Sequence, residues 1–159
     1  MNIEDTAARK LTERSMSVME LTNYLTKKGF PQEDVNRVIA MLREDGYLND
    51  SRFCREYFEY AFSRNKGKRR AFAELRKKGV DADVMENAFD DYEAEEDVDF
   101  SEERMARAET SKILRMADLT WEDPVSEKIR GRIARKLDSY GYSSTVIYEI
   151  LGELKYELR

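Results

Sequence analysis

The sequence predicts an all-α fold: three tandem three-helix repeats of helix-turn-helix-like type, forming an elongated, curved array. Three observations predict it. A leucine, three residues, a glycine and an apolar residue recur three times, each time followed by apolar positions at helical spacing. The copies are Leu25, Gly29, Phe30 with Val35, Val38, Ile39; Leu75, Gly79, Val80 with Met85, Ala88, Phe89; and Leu137, Gly141, Tyr142 with Ile147, Ile150, Leu151. Their glycines lie 50 and then 62 residues apart, a period that belongs to helical repeat proteins. No segment sustains an alternation of period two, and two prolines and seven glycines leave little for sheet turns, so no sheet is expected.

The elements follow in chain order. Residues 6–13 can form a first helix. Ser17-Val18-Met19-Glu20 reads as a capping box, the serine hydroxyl and the glutamate carboxylate each taking a free backbone N–H. The helix behind it carries Met19 or Leu21, then Leu25, and places Lys27 and Lys28 at the negative end of its dipole. Gly29 stops it by supplying a left-handed backbone, with Phe30 folding back on the last turn. A third helix, from Pro31 or Gln32 to Glu44, puts Val35, Val38, Ile39 and Leu42 on one face, and Gly46-Tyr47 repeats the stop. Asn49 or Asp50 opens the second repeat. Phe53, Tyr57, Phe58, Ala61 and Phe62 form its first apolar stripe, broken at Asn65-Lys66-Gly67. Lys68 to Lys78 is the next helix, stopped by Gly79. Asp81 or Asp83 caps the last, which carries Val84, Met85, Ala88 and Phe89. In the third repeat Ser101 caps a helix to about Ala117. Thr120-Trp121-Glu122-Asp123-Pro124 reads as a helix start with proline in the first turn, running to about Tyr140. Gly141 ends it, and Ser143 or Ser144 opens the last helix. The repeats are expected at 1–50, 51–93 and 103–159, with the acidic 94–102 as a linker or helix extension.

Composition removes several function classes. A chain of 159 residues without a histidine lacks the usual neutral-pH acid/base and the commonest metal ligand. Cys54 is the only cysteine; it has no disulfide partner and no histidine to activate it, and reads as a buried, inert thiol in a reducing cytoplasm. There is no signal-like N-terminus, membrane span, phosphate loop or nucleophile elbow, so neither an enzyme nor a cofactor is expected.

Charge is the remaining signal. The net charge is −5, yet Arg64 to Lys78 holds eight bases against one acid, Glu74, and Asp90 to Glu103 holds nine acids and no base. The candidate partner-binding residues are Lys66, Lys68, Arg69, Arg70, Arg76, Lys77 and Lys78. The Lys66-Gly67-Lys68 turn sets backbone N–H groups and basic side chains at one helix N-terminus, a favourable place for an anion, whether phosphate or an acidic protein surface. A solvated helix face would look the same in sequence. The acidic segment reads as a solvated linker, or else as a DNA mimic or an internal screen for the basic run. Trp121 lies outside the repeat pattern and caps the core of the third unit or, less simply, stacks on a base.

Three stretches in order resemble the RecX regulatory proteins of bacteria. They are Arg14-Ser15-Met16-Ser17-Val18-Met19-Glu20-Leu21, Leu25-Thr26-Lys27-Lys28-Gly29-Phe30 and Gly46-Tyr47-Leu48-Asn49-Asp50-Ser51-Arg52-Phe53. The basic turn Lys66 to Arg70, the stop Leu75 to Val80, and the run from Asp123-Pro124 to Gly141-Tyr142 extend the likeness over residues 7–158. The resemblance implies a non-enzymatic, cytoplasmic, monomeric regulator that lies in the groove of the RecA–DNA filament. It also implies reduced filament growth, ATP hydrolysis and strand exchange, with single-stranded DNA in the filament contacted weakly. Alternatives are a helix-turn-helix transcription regulator, reading bases with Gln32, Asn36 and Arg37, and a scaffold that contacts protein only.

Overall fold

The computed structural model describes residues 1–95 and 97–157. Three helical triads follow one another: α1 (Ile3–Glu13), α2 (Val18–Lys27), α3 (Gln32–Glu44); α4 (Asp50–Ser63), α5 (Lys68–Lys77), α6 (Ala82–Glu93); and α7 (Glu102–Met116), α8 (Glu127–Ser139), α9 (Ser144–Glu153). Each triad repeats one logic, two helices joined by a glycine stop after a leading helix. Gly29, Gly79 and Gly141 have φ of +93°, +85° and +83°, the left-handed region in which an L side chain is strained.

Caps set the boundaries. Asn2 accepts from the Asp5 N–H, so α1 begins three residues before the expected Thr6. Ser17 and Glu20 form the expected capping box of α2. Asn49 caps α4 by accepting from Arg52, while Asp50 turns away to accept from the N–H of Val18 at 2.8 Å. Ser101 and Ser143 cap α7 and α9. In the first triad Leu21, not Met19, is the core residue, and after Gly46 the buried apolar residue is Leu48, with Tyr47 left 68% exposed.

Two expectations are corrected in the third triad. Two short strands, β1 (Pro124–Val125) and β2 (Lys155–Tyr156), pair in parallel, Pro124 with Lys155 and Val125 with Tyr156. Residues 120–125 therefore do not start a helix. Asp123 accepts from the N–H of Thr120 at 2.8 Å and closes a turn, and Pro124 favours extended chain before it. Helix α8 starts only after Ser126, whose hydroxyl accepts from Ile129. A two-residue ladder is too short to carry an alternating pattern, which is why the sequence hid it.

The chain divides into two compact units, Met1–Phe58 with Glu74–Glu95, and Glu59–Ala73 with Glu96–Arg159. Helices α4 and α5 each continue from one into the other. In the first unit, Leu21, Leu25, Val35, Val38, Ile39 and Leu42 pack with Ile3, Ala7, Met16 and Leu48. Phe58 meets Phe89 edge-on at 5.5 Å. In the second unit, α7, α8 and α9 pack on one another around buried Ile113, Leu114, Ile133, Leu137, Ile150 and Leu151. Trp121 donates to the Ser111 hydroxyl at 3.0 Å and lies beneath Arg107, both on α7.

One docking arrangement occurs twice. Within the first unit, the Ser17 hydroxyl at the start of α2 donates to the Lys78 carbonyl at 2.5 Å, and Met19 packs where a Cβ on Gly79 would stand. Within the second unit, the Gly67 N–H at the start of α5 donates to the Tyr140 carbonyl at 2.6 Å, and Arg70 packs where a Cβ on Gly141 would stand. The second-helix start of one triad thus seats on the glycine stop of the next. Gly29 belongs to the first triad, and a Cβ there meets nothing within 4 Å.

Candidate functional site

The seven basic candidates lie on α5 and the turn before it, and the two ends of that helix have different surroundings. In the second unit, Asn65 takes a left-handed φ of +59° and its carbonyl accepts from the buried Tyr142 hydroxyl. The Lys66 ammonium sits 3.8 Å from the centre of the Tyr140 ring. Arg69 donates to the Asp138 carboxylate at 3.0 Å and to the carbonyls of Asp138 and Tyr142 at 2.9 and 3.3 Å. Arg70 donates to the Ser139 carbonyl at 3.3 Å and lies over Tyr140. Burial pushes the Tyr140 hydroxyl up, but the ammonium groups of Lys136 and Lys66 outweigh it and hold it below its ordinary value. This end of the basic run joins the second triad to the third.

The anion expected at the α5 N-terminus is supplied by the chain itself. One Glu102 oxygen accepts from the Lys68 N–H at 2.7 Å, and the other accepts from the Ser143 N–H at 3.0 Å. Glu102 comes from the acidic segment, so one acid of that segment caps the start of α5 through a backbone N–H. Other acids there pair elsewhere: Glu95 with Arg55, and Asp99 with Arg104 at 2.7 Å. Glu96 lies outside the described residues.

At the other end of α5, within the first unit, Lys78 approaches Glu20 at 3.8 Å, and its carbonyl is held by Ser17. Arg76 and Lys77 are exposed and make no ion pair or side-chain hydrogen bond among the described residues. Of the seven candidates these two remain open to a partner by geometry.

Sequence reasoning missed Glu102, Asp138 and Glu109. Glu109 is 2% exposed and binds Asn65 and Lys112 at 2.8 Å each, with Lys136 at 4.0 Å. The acidic count over 90–103 contained Glu102 but neither Glu109 nor Asp138, and only tertiary contacts assign the three. The base-reading trio of the transcription-factor alternative is engaged internally: Gln32 donates to Asn36 at 2.8 Å, and Arg37 pairs with Glu4 at 2.9 Å and Asp34 at 3.7 Å. Cys54 is fully buried, and burial pushes its thiol up to about 12.

Comparison with known proteins places this geometry in a family. Residues 5–42 match the first three-helix domain of RecX and residues 49–88 the second. The regulatory protein RecX of Mycolicibacterium smegmatis is 31% identical over 145 residues, 91% of this chain and 74% of that protein. That of Mycobacterium sp. (strain JLS) is 33% identical over 147 residues, 90% and 76% of the two chains. The crystal structure of RecX from Lactobacillus salivarius superposes with a TM-score of 0.77 at 20% identity, over 95% of this chain and 93% of that one. A second RecX crystal structure gives a TM-score of 0.74 at 18% identity, over 94% and 70%. The chain belongs to the RecX family of regulatory proteins.

Proposed function

We propose that this protein binds the filament that a RecA recombinase forms on DNA and restrains it, lowering ATP hydrolysis, filament growth and strand exchange, and so regulates DNA repair and recombination. The observation that carries this reading is the likeness to RecX regulatory proteins over nine tenths of the chain. The protein acts in the cytoplasm as a monomer, without catalysis or cofactor. A chain of three triads offers several weak surfaces in succession, which suits multipoint contact with successive protomers. Restraint then follows from binding one filament geometry better than another.

Among the seven basic residues, Arg76 and Lys77 are the partner contacts. Lys66, Lys68, Arg69, Arg70 and Lys78 support them by fixing α5 at both ends. The test is recombinase ATPase on single-stranded DNA with increasing amounts of this protein. Inhibition that falls severalfold in an Arg76→Glu/Lys77→Glu variant of unchanged helicity supports the assignment. No effect of the wild-type protein on ATPase at any salt concentration removes the regulatory reading. The transcription-regulator alternative is disfavoured because Gln32, Asn36 and Arg37 are tied to their own chain and α6 carries Asp83, Glu86, Asp90 and Asp91 on the corresponding helix.

A further inference from the structure

We infer that α8 carries a second, separate site: a cationic stripe that binds the phosphodiester backbone of nucleic acid. Lys128, Arg132 and Arg135 stand at positions i, i+4 and i+7 of this helix, which puts them on one face. All three are exposed, and none makes an ion pair or a side-chain hydrogen bond among the described residues. That separates them from the α5 residues at the triad junction, whose charges are spent on Asp138, on carbonyls and on Tyr140. The stripe lies opposite Ile133 and Leu137, which are buried, so packing does not account for it.

Gly131 sits in the middle of the stripe. A helix-interior glycine is destabilising relative to alanine and needs a reason. Here a Cβ would stand 3.1 Å from the Arg135 guanidinium. The missing side chain lets the Arg135 guanidinium lie over Gly131, back along the helix towards the turn that carries Lys128 and Arg132. The acids of α8, Glu127 and Asp138, stand at its two ends, off the stripe, and Asp138 is held by Arg69.

The arrangement favours phosphate over a carboxylate-bearing protein. Two guanidinium forks match phosphate and carboxylate oxygens alike, so the choice rests on the spacing of the charges. At 1.5 Å per residue the three charges span roughly 10 Å along the axis, a regular ladder for the repeated charges of one strand. Dissociation constants on the order of 10⁻⁶ to 10⁻⁴ M at physiological salt are characteristic of such sequence-independent contacts. This site does not depend on the filament reading: it predicts binding to free nucleic acid.

The test uses the full chain and fluorescence anisotropy with labelled oligo-dT and a duplex of equal length, over a salt series starting low. A Lys128→Ala/Arg132→Ala/Arg135→Ala variant, with helicity checked by circular dichroism, is expected to lose at least tenfold in affinity. Its salt slope on oligo-dT should fall by about two, from about 0.7 released counterions per contact. Gly131→Leu keeps every charge but displaces Arg135, and should weaken binding severalfold without unfolding. Arg76→Glu/Lys77→Glu should keep most of the affinity. Wild-type affinity in the triple variant overturns the proposal, as does absence of wild-type binding at low salt. So does polyglutamate competing as well as an unlabelled oligonucleotide, which would make the partner an acidic protein. Whether oligo-dT or duplex binds better identifies the form of nucleic acid. A triple variant that loses oligo-dT yet still inhibits the recombinase supports the stripe and leaves the regulatory reading intact. The reverse pattern overturns the stripe alone.

Discussion

At Gly141 two demands coincide. Its φ of +83° favours glycine, and the space its Cβ would fill is held by Arg70 of the preceding triad. Gly29 meets only the first demand. Gly29→Ala should therefore cost about 1–2 kcal/mol for the left-handed backbone, and Gly141→Ala a further 1–3 kcal/mol for the overlap. Urea unfolding of the two variants measures the difference, and equal losses would remove the docking role. Gly67 belongs with Gly141, since a Cβ on it would stand 2.5 Å from the Gly141 carbonyl oxygen. Cys54 offers a second check at this scale. With its thiol pushed up to about 12, it should ignore thiol reagents at pH 8 in the folded protein and react at once in denaturant.

At the scale of an element, the start of α5 is an assembled junction. Glu102 satisfies backbone donors at two helix starts, so Glu102→Ala should cost about 1–2 kcal/mol, read from thermal unfolding. On α7, burial pushes the Glu109 carboxyl up, but hydrogen bonds from Lys112 and Asn65 and the charges of Lys112 and Lys136 outweigh it, holding it below its ordinary 4.5. A lowered carboxyl stabilises the fold fully above its unfolded value and loses that contribution as pH falls through the folded one. Stability should accordingly decline below about pH 4.5, and a Glu109→Gln variant should show a flatter acid limb in denaturant titrations at stepped pH. The exposed pair of Arg69 and Asp138 is a different case: a double-mutant cycle should give under about 1 kcal/mol of coupling, because water screens it.

For the whole molecule, α4 and α5 run through both compact units. Leu25→Ala in one and Leu137→Ala in the other, both fully buried, should each cost about 2–5 kcal/mol. Because two continuous helices are common to both units, each substitution should shift the same single calorimetric transition. Two separated transitions would show independent units. The net charge of −5 describes this chain poorly as a partner for anions, since bases and acids are segregated and several bases are neutralised internally.

Much of this was legible beforehand because it is local. Helix periodicity, the Ser17–Glu20 capping box and the left-handed glycines arise from residues within a turn or two of one another, so the order of residues alone determined nine helices in three triads among the described residues. The inert Cys54 followed from composition, since the chain has one cysteine and no histidine. The β1–β2 pair joins residues about thirty apart with no periodic trace, and the helix start expected at Pro124 gave way to it. The basic run was legible as a density of charge, but not its division into junction residues and the open Arg76 and Lys77. Contacts with Asp138, Tyr140 and Glu102, from 34 to about 70 residues away, decided that. The same holds for the glycines. Sequence determined that they stop helices; only tertiary structure decided that Gly79 and Gly141 also receive the preceding triad, because van der Waals contact depends on which distant backbone arrives, and no local pattern encodes that arrival.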